Sequence, residues 1–85
     1  MGKAEKLLDR FVKIPKDLTW DELTSVLAGF GYFLLKNGKT GGSRRKFVNK
    51  DNSIIILHKP HPGNIVKQYA LKQVIDHLRE KGSLQ

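Results

Sequence analysis

"RRKFVNKDNSIIILH", Arg44 to His58, is the stretch on which the fold turns. Two runs rich in β-branched and aromatic residues, "RRKFVN" (44–49) and "SIIILH" (53–58), flank the turn formers "KDNS". That pattern predicts an antiparallel hairpin. With Asp51 and Asn52 as its tip, Lys50 faces Ser53, Asn49 faces Ile54, Phe47 faces Ile56 and Arg45 faces His58. Side chains alternate across a sheet, so Phe47, Ile54 and Ile56 share one face. Phe47 is the largest apolar group there, which assigns that face, and His58 with it, to the core. Arg44, Lys46 and Lys59 then share the open face with Val48, Ile55 and Leu57.

Upstream, "YFLLK" (Tyr32 to Lys36) is a third strand candidate, joined to the hairpin by the loop "NGKTGGS". Before it, "TWDE" (Thr19 to Glu22) has the capping-box form, with Thr19 as N-cap and Glu22 reaching back. Leu23, Val26, Leu27 and Phe30 follow at helical spacing, and Gly29 and Gly31 supply the stop. Lys3 to Val12 reads as a short helix with Leu7, Leu8 and Phe11 on one side, ended by Pro15. Downstream, a last helix from Lys67 to Lys81 turns Tyr69, Leu71, Val74, Ile75 and Leu78 inward, and Gly82 closes it. The order is α-α-β-β-β-α. This is an α+β fold: a three-stranded antiparallel sheet with helices on one face and the other face open.

The chain has 85 residues, one domain at most, and a modest core. A shallow surface site is expected rather than an enclosed one. Lys and Arg number 16 against 8 acids, for a net charge of +8. Nine of the cations lie from Lys36 to Lys72, where Asp51 is the one acid, whereas the chain up to Glu22 has five of each sign. A bias of this kind points to a polyanionic partner. There is no cysteine, which excludes disulfides and thiolate chemistry. Nothing resembles a signal peptide or a membrane span, so a cytosolic protein without a membrane partner is expected.

"GKTGGSRRKF" (Gly38 to Phe47) invites comparison with a phosphate-binding P-loop. That motif requires glycine five positions before Gly38, where Phe33 stands, and a helix after it, where a strand is expected. Two readings remain open. Gly41 and Gly42 form a loose hairpin turn, or their bare N–H groups, beside Lys39 and Arg44, make a nest for one phosphate.

"LHKPHPG" (Leu57 to Gly63) carries two of the three histidines. Imidazole has an ordinary pKa near 6.5, so His58 and His61 are suited to moving protons at neutral pH. One would take a proton from a ribose 2′-OH and the other would give one to a leaving 5′-oxygen. Lys59, Arg44 and Arg45 would hold the phosphate. The bland alternative is a strand-end residue and a loop residue with no chemistry. His77, on the last helix, reads as structural. No carboxylate cluster suggests a metal site, and no cofactor is expected.

From about Leu18 to Leu84 the sequence resembles the HicA family of toxins from bacterial and archaeal toxin–antitoxin pairs. The resemblance rests on "LTWDEL", "GKTGGSRRKF", "ILHKPHPGN" and "YALKQVIDHL" in that order. It makes residues 1–17 an N-terminal helical extension and 18–85 the toxin-like domain. It implies a fold like the double-stranded RNA-binding domain, endoribonuclease cleavage of mRNA, growth arrest, and neutralisation by a HicB-like antitoxin. One departure stands out. The family's usual catalytic histidine follows the Gly-Ser pair at the start of the second strand, and here Arg44 follows Gly42 and Ser43. Arginine stays protonated and is a poor general base. His58 or His61 takes over, or Arg44 binds phosphate while another base acts, or the chain binds RNA without cutting it. The expectation is therefore a metal-independent endoribonuclease with catalytic His58 and His61. Its RNA would be held by Lys39, Gly41, Gly42, Ser43, Arg44, Arg45, Lys46 and Lys59. The alternatives are a non-catalytic RNA-binding module on the same face and, third, a DNA-binding regulator.

Overall fold

A computed structural model describes residues 3–35 and 44–84. The elements follow the expected order: α1 (Lys3–Val12), α2 (Trp20–Gly29), β1 (Phe33–Leu34), β2 (Arg44–Val48), β3 (Ile54–His58) and α3 (Gln68–Glu80). The strands form one antiparallel sheet in the order β1-β2-β3. The architecture is α+β, consistent with a double-stranded RNA-binding-domain-like fold. No helix of the described residues is long and apolar enough to cross a membrane.

Local signals in the sequence account for the helix boundaries. At α2 the Thr19 hydroxyl accepts from the Glu22 N–H at 3.1 Å, and the Thr19 N–H donates to Glu22 Oε1 at 2.9 Å, closing the capping box. At its other end Gly31 sits at φ +85°. Its N–H bonds to the Ala28 carbonyl at 2.9 Å and that of Tyr32 to the Leu27 carbonyl at 2.8 Å. Together these make a Schellman cap, which needs a left-handed residue where Gly31 stands. Gly82, at φ +76°, ends α3 by the same pair of bonds, to Arg79 and Leu78. The N-terminal α1 packs on α2 and contributes Phe11, fully buried, to the common core. Arg10 ties it down with bonds to Glu22 at 2.9 Å and Asp17 at 2.7 Å.

The hairpin register differs from the sequence expectation by one residue. The pairs are Arg44 with His58, Arg45 with Leu57, Lys46 with Ile56, Phe47 with Ile55, and Val48 with Ile54. The cause lies in the turn. Its tip is Lys50, Asp51 and Asn52, not Asp51 and Asn52 alone. Asn49 accepts from the Asn52 N–H at 3.0 Å, and its side-chain oxygen accepts from the N–H groups of Asp51 (3.0 Å) and Ser53 (2.8 Å). Asn52 takes the left-handed conformation, φ +64°. A three-residue loop with its last residue left-handed is a standard hairpin closure, and asparagine tolerates that conformation. One added residue in the loop moves every β3 side chain to the other face.

The faces are reassigned accordingly. Phe47, Ile55 and Leu57 are buried against the helices, with Phe47 packed on the Trp20 ring at 5.7 Å between centroids. Ile54 and Ile56, expected inside, are exposed on the open face, and His58 joins them there. Tyr69 was also expected inside but is exposed. The buried stripe of α3 is Leu71, Val74, Ile75 and Leu78. At about 100° per residue, Tyr69 stands some 200° from Leu71, on the far side of the helix. β1 is shorter than its five-residue candidate, and Lys36 at its end falls outside the described residues.

Candidate nucleic-acid interface

The open sheet face is built in three rows across the strands. Phe33, Val48 and Ile54 form the first. Leu35, Lys46 and Ile56 form the second, with the Leu35 N–H bonded to the Lys46 carbonyl at 2.8 Å. Arg44 and His58 form the third. Alternate residues on a strand are about 7 Å apart, so the outer rows are about 14 Å apart. The face thus runs from an apolar end to a cationic end.

The one-residue shift in register brings Arg44 and His58 together. The sequence reading placed them on opposite faces, His58 against Arg45. In the structure they are direct cross-strand neighbours, a relation in which Cβ atoms lie about 4.5–5.5 Å apart. Both are exposed. The pairing puts a guanidinium-bearing and an imidazole-bearing residue side by side on the open face. Arg45 points the other way. It pairs with Leu57, is half-buried, and its Nη1 donates to the Arg44 carbonyl at 3.0 Å. It therefore does not share the face of Arg44 and Lys46.

Beyond His58 the chain enters the loop carrying Lys59 and His61, both exposed. The end of this loop is pinned beside the start of α2. Asn64 accepts from the Trp20 N–H at 2.7 Å, and the Val66 N–H donates to the Leu18 carbonyl at 2.8 Å. His58, Lys59 and His61 line one groove of about 340 Å³ between the end of β3 and the first turn of α3. Both candidate histidines therefore open onto the same space. Among the described residues Arg44, Lys46 and Lys59 have no ion-pair partner; the ion pairs there are those of Arg10. Lys39, Gly41, Gly42 and Ser43 lie outside the described residues.

His77 belongs to a separate cluster. The Tyr32 hydroxyl donates to Ser53 Oγ at 2.8 Å, and His77 Nε2 lies 2.9 Å from that oxygen and 3.3 Å from the Tyr32 hydroxyl. The cluster joins α3 to the start of the sheet and to the hairpin turn, a structural use of the histidine. The sequence reading missed Phe33, 61% exposed on the apolar row, and Tyr69, 63% exposed in the groove. Helical periodicity carried a signal for Tyr69, which lies off the Leu71–Val74–Ile75–Leu78 stripe. Phe33 had no such signal, because its strand was read as one apolar run.

The family model described as HicA toxin of bacterial toxin–antitoxin matches residues 20–80. That span takes in α2, the whole sheet, the groove and α3. No curated protein and no solved structure matches the chain.

Proposed function

The chain belongs to the family of HicA toxins of bacterial toxin–antitoxin pairs, and from that premise we propose that it is an endoribonuclease that cuts mRNA at the cationic end of its open sheet face. The observation that carries the proposal is the cross-strand pair Arg44–His58, with His58 lining the same groove as Lys59 and His61. Arg44 occupies the position of the family's usual histidine and cannot serve as base. The imidazole directly across the ladder can.

The chemistry follows from these groups. His58 accepts the proton of a ribose 2′-OH, and the freed 2′-oxygen attacks the adjacent phosphorus. The bond from phosphorus to the 5′-oxygen breaks, and that oxygen takes a proton from His61. The products are a 2′,3′-cyclic phosphate and a 5′-hydroxyl. Arg44 and Lys59 offset the negative charge that builds on the phosphoryl oxygens. The reaction calls for no metal. Its parts are two imidazoles for the proton transfers and the cations Arg44 and Lys59 for the phosphoryl charge.

The apolar end of the face has a different use. Phe33, Ile54 and Ile56 are 61%, 45% and 51% exposed on one contiguous surface flanked by Lys46 and Arg44. Such a patch marks a protein contact, and its charged flank calls for carboxylates on the partner. A HicB-like antitoxin seated there would cover His58 and Arg44 at the same time.

The test is cleavage of RNA by purified protein in EDTA, followed across pH, with the product ends identified. His58→Gln is expected to abolish cleavage with the fold retained by circular dichroism, and His61→Gln to reduce it. Full cleavage by a folded variant lacking both histidines would overturn the mechanism. RNA binding without cleavage by the unaltered protein would leave the non-catalytic reading in its place.

A further inference from the structure

Tyr69 sits in the second position of α3, 63% exposed, and lines the same groove as His58 and His61. Its ring is turned away from the core, and its hydroxyl makes no hydrogen bond among the described residues. Packing therefore does not account for its place. Around it the groove is part apolar and part cationic. Ile65, 45% exposed, gives an aliphatic wall. Lys59 and Lys67 supply positive charge. Lys67 is the N-cap of α3 and offers no side-chain cap, and the first turn carries no acid. The partial positive charge of that helix end is left without a local counter-charge.

We propose that this groove takes one unstacked base of single-stranded RNA, laid against the Tyr69 ring, with its phosphate toward Lys59 and Lys67. The volume, about 340 Å³, is that of a small-ligand site. An aromatic face beside fixed cations is the arrangement that holds single-stranded nucleic acid, because every base has a π-face and every link a phosphate. The neighbouring phosphate would then fall at His58, which lines the groove, and at its cross-strand neighbour Arg44. A base locked in a duplex cannot enter. The groove therefore selects unpaired RNA before any chemistry occurs. The inference rests on the RNA reading above and adds to it a positioning residue and the strandedness of the substrate.

The experiment uses the full chain and a 2′-O-methyl oligoribonucleotide carrying 2-aminopurine, which binds but offers no 2′-hydroxyl for cleavage. Stacking on Tyr69 is expected to quench its fluorescence. Tyr69→Phe keeps the quench and the affinity. Tyr69→Leu and Tyr69→Ala lose the quench and weaken binding about tenfold, the order expected for one base–aromatic stack. The exposed site makes these variants safe for folding, which circular dichroism checks. The same oligonucleotide in duplex form should bind weakly, with no dependence on Tyr69. If the unaltered protein binds the single strand and Tyr69→Leu binds and quenches equally, the stacking site is overturned while the RNA reading stands. If the unaltered protein binds no RNA at low salt, both fall. Loss of antitoxin binding by Tyr69→Leu with RNA binding unchanged would reassign the groove to a protein.

Discussion

Ile55 and Ile56 are chemically identical neighbours that the hairpin register sends to opposite faces, so truncating each in turn tests the register directly. Ile→Ala removes three carbons, worth about 0.8 kcal/mol each when fully buried. Ile55 is 6% exposed, so nearly all of that is lost, and a residual cavity adds to it. The expected cost is about 2–3.5 kcal/mol, in the lower half of the usual range because β3 is an edge strand. Ile56 is 51% exposed and leaves no cavity, so its truncation should cost about 1 kcal/mol. In a domain of this size 1 kcal/mol moves Tm by about 4–8 °C. Ile55→Ala should then lower Tm by roughly 10–25 °C and Ile56→Ala by roughly 4–8 °C. Urea and thermal unfolding followed by circular dichroism measure both. An Ile56→Ala cost equal to or above that of Ile55→Ala would refute the three-residue turn and restore the register with Phe47 opposite Ile56.

The turn itself gives a second check: Asn52→Gly should be nearly neutral, while Asn52→Val should cost about 1–2 kcal/mol in urea unfolding, the penalty for a left-handed non-glycine residue. RNA affinity should fall with salt, and Arg44→Ala, Lys46→Ala and Lys59→Ala should each flatten the log–log slope by about 0.7, one phosphate contact on single-stranded RNA. Arg45→Ala, on the other side of β2, should leave that slope nearly unchanged; an equal flattening would place Arg45 in the RNA contact. Glu22 is held below its ordinary pKa of 4.5, first by the Thr19 N–H and then by the Arg10 charge. A depressed folded pKa stabilises fully above the unfolded value and is lost as pH falls through the folded one. The stability gap between the native protein and Glu22→Gln should therefore be constant above pH 4.5 and close below it. A gap that persists unchanged into strong acid would mean that the charge contributes nothing.

Much of this molecule was legible in the chain because its signals are local. The capping box at Thr19–Glu22, the glycine caps at Gly31 and Gly82, and the apolar spacing of α2 and α3 each act within a few residues. So does the β-rich character of residues 44–49 and 53–58. The cationic bias from Lys36 to Lys72 is likewise a property of composition. These together set the element order, the α+β class and the candidate residues His58, His61, Arg44, Lys46 and Lys59. Which of those residues meet was another matter. Ile54 to Leu57 is apolar at every position, so alternation could not say which side faces inward. The answer came from the turn, where the Asn49 side chain holds two backbone N–H groups and Asn52 goes left-handed. Packing of Phe47, Ile55 and Leu57 against Trp20 and the helices then secured it. Only that tertiary arrangement sets His58 beside Arg44 and leaves Ile56 in solvent. It also gathers His61 and Tyr69 into one groove from a loop and a helix, because the fastening of Asn64 and Val66 to Leu18 and Trp20 is a contact between segments far apart in the chain.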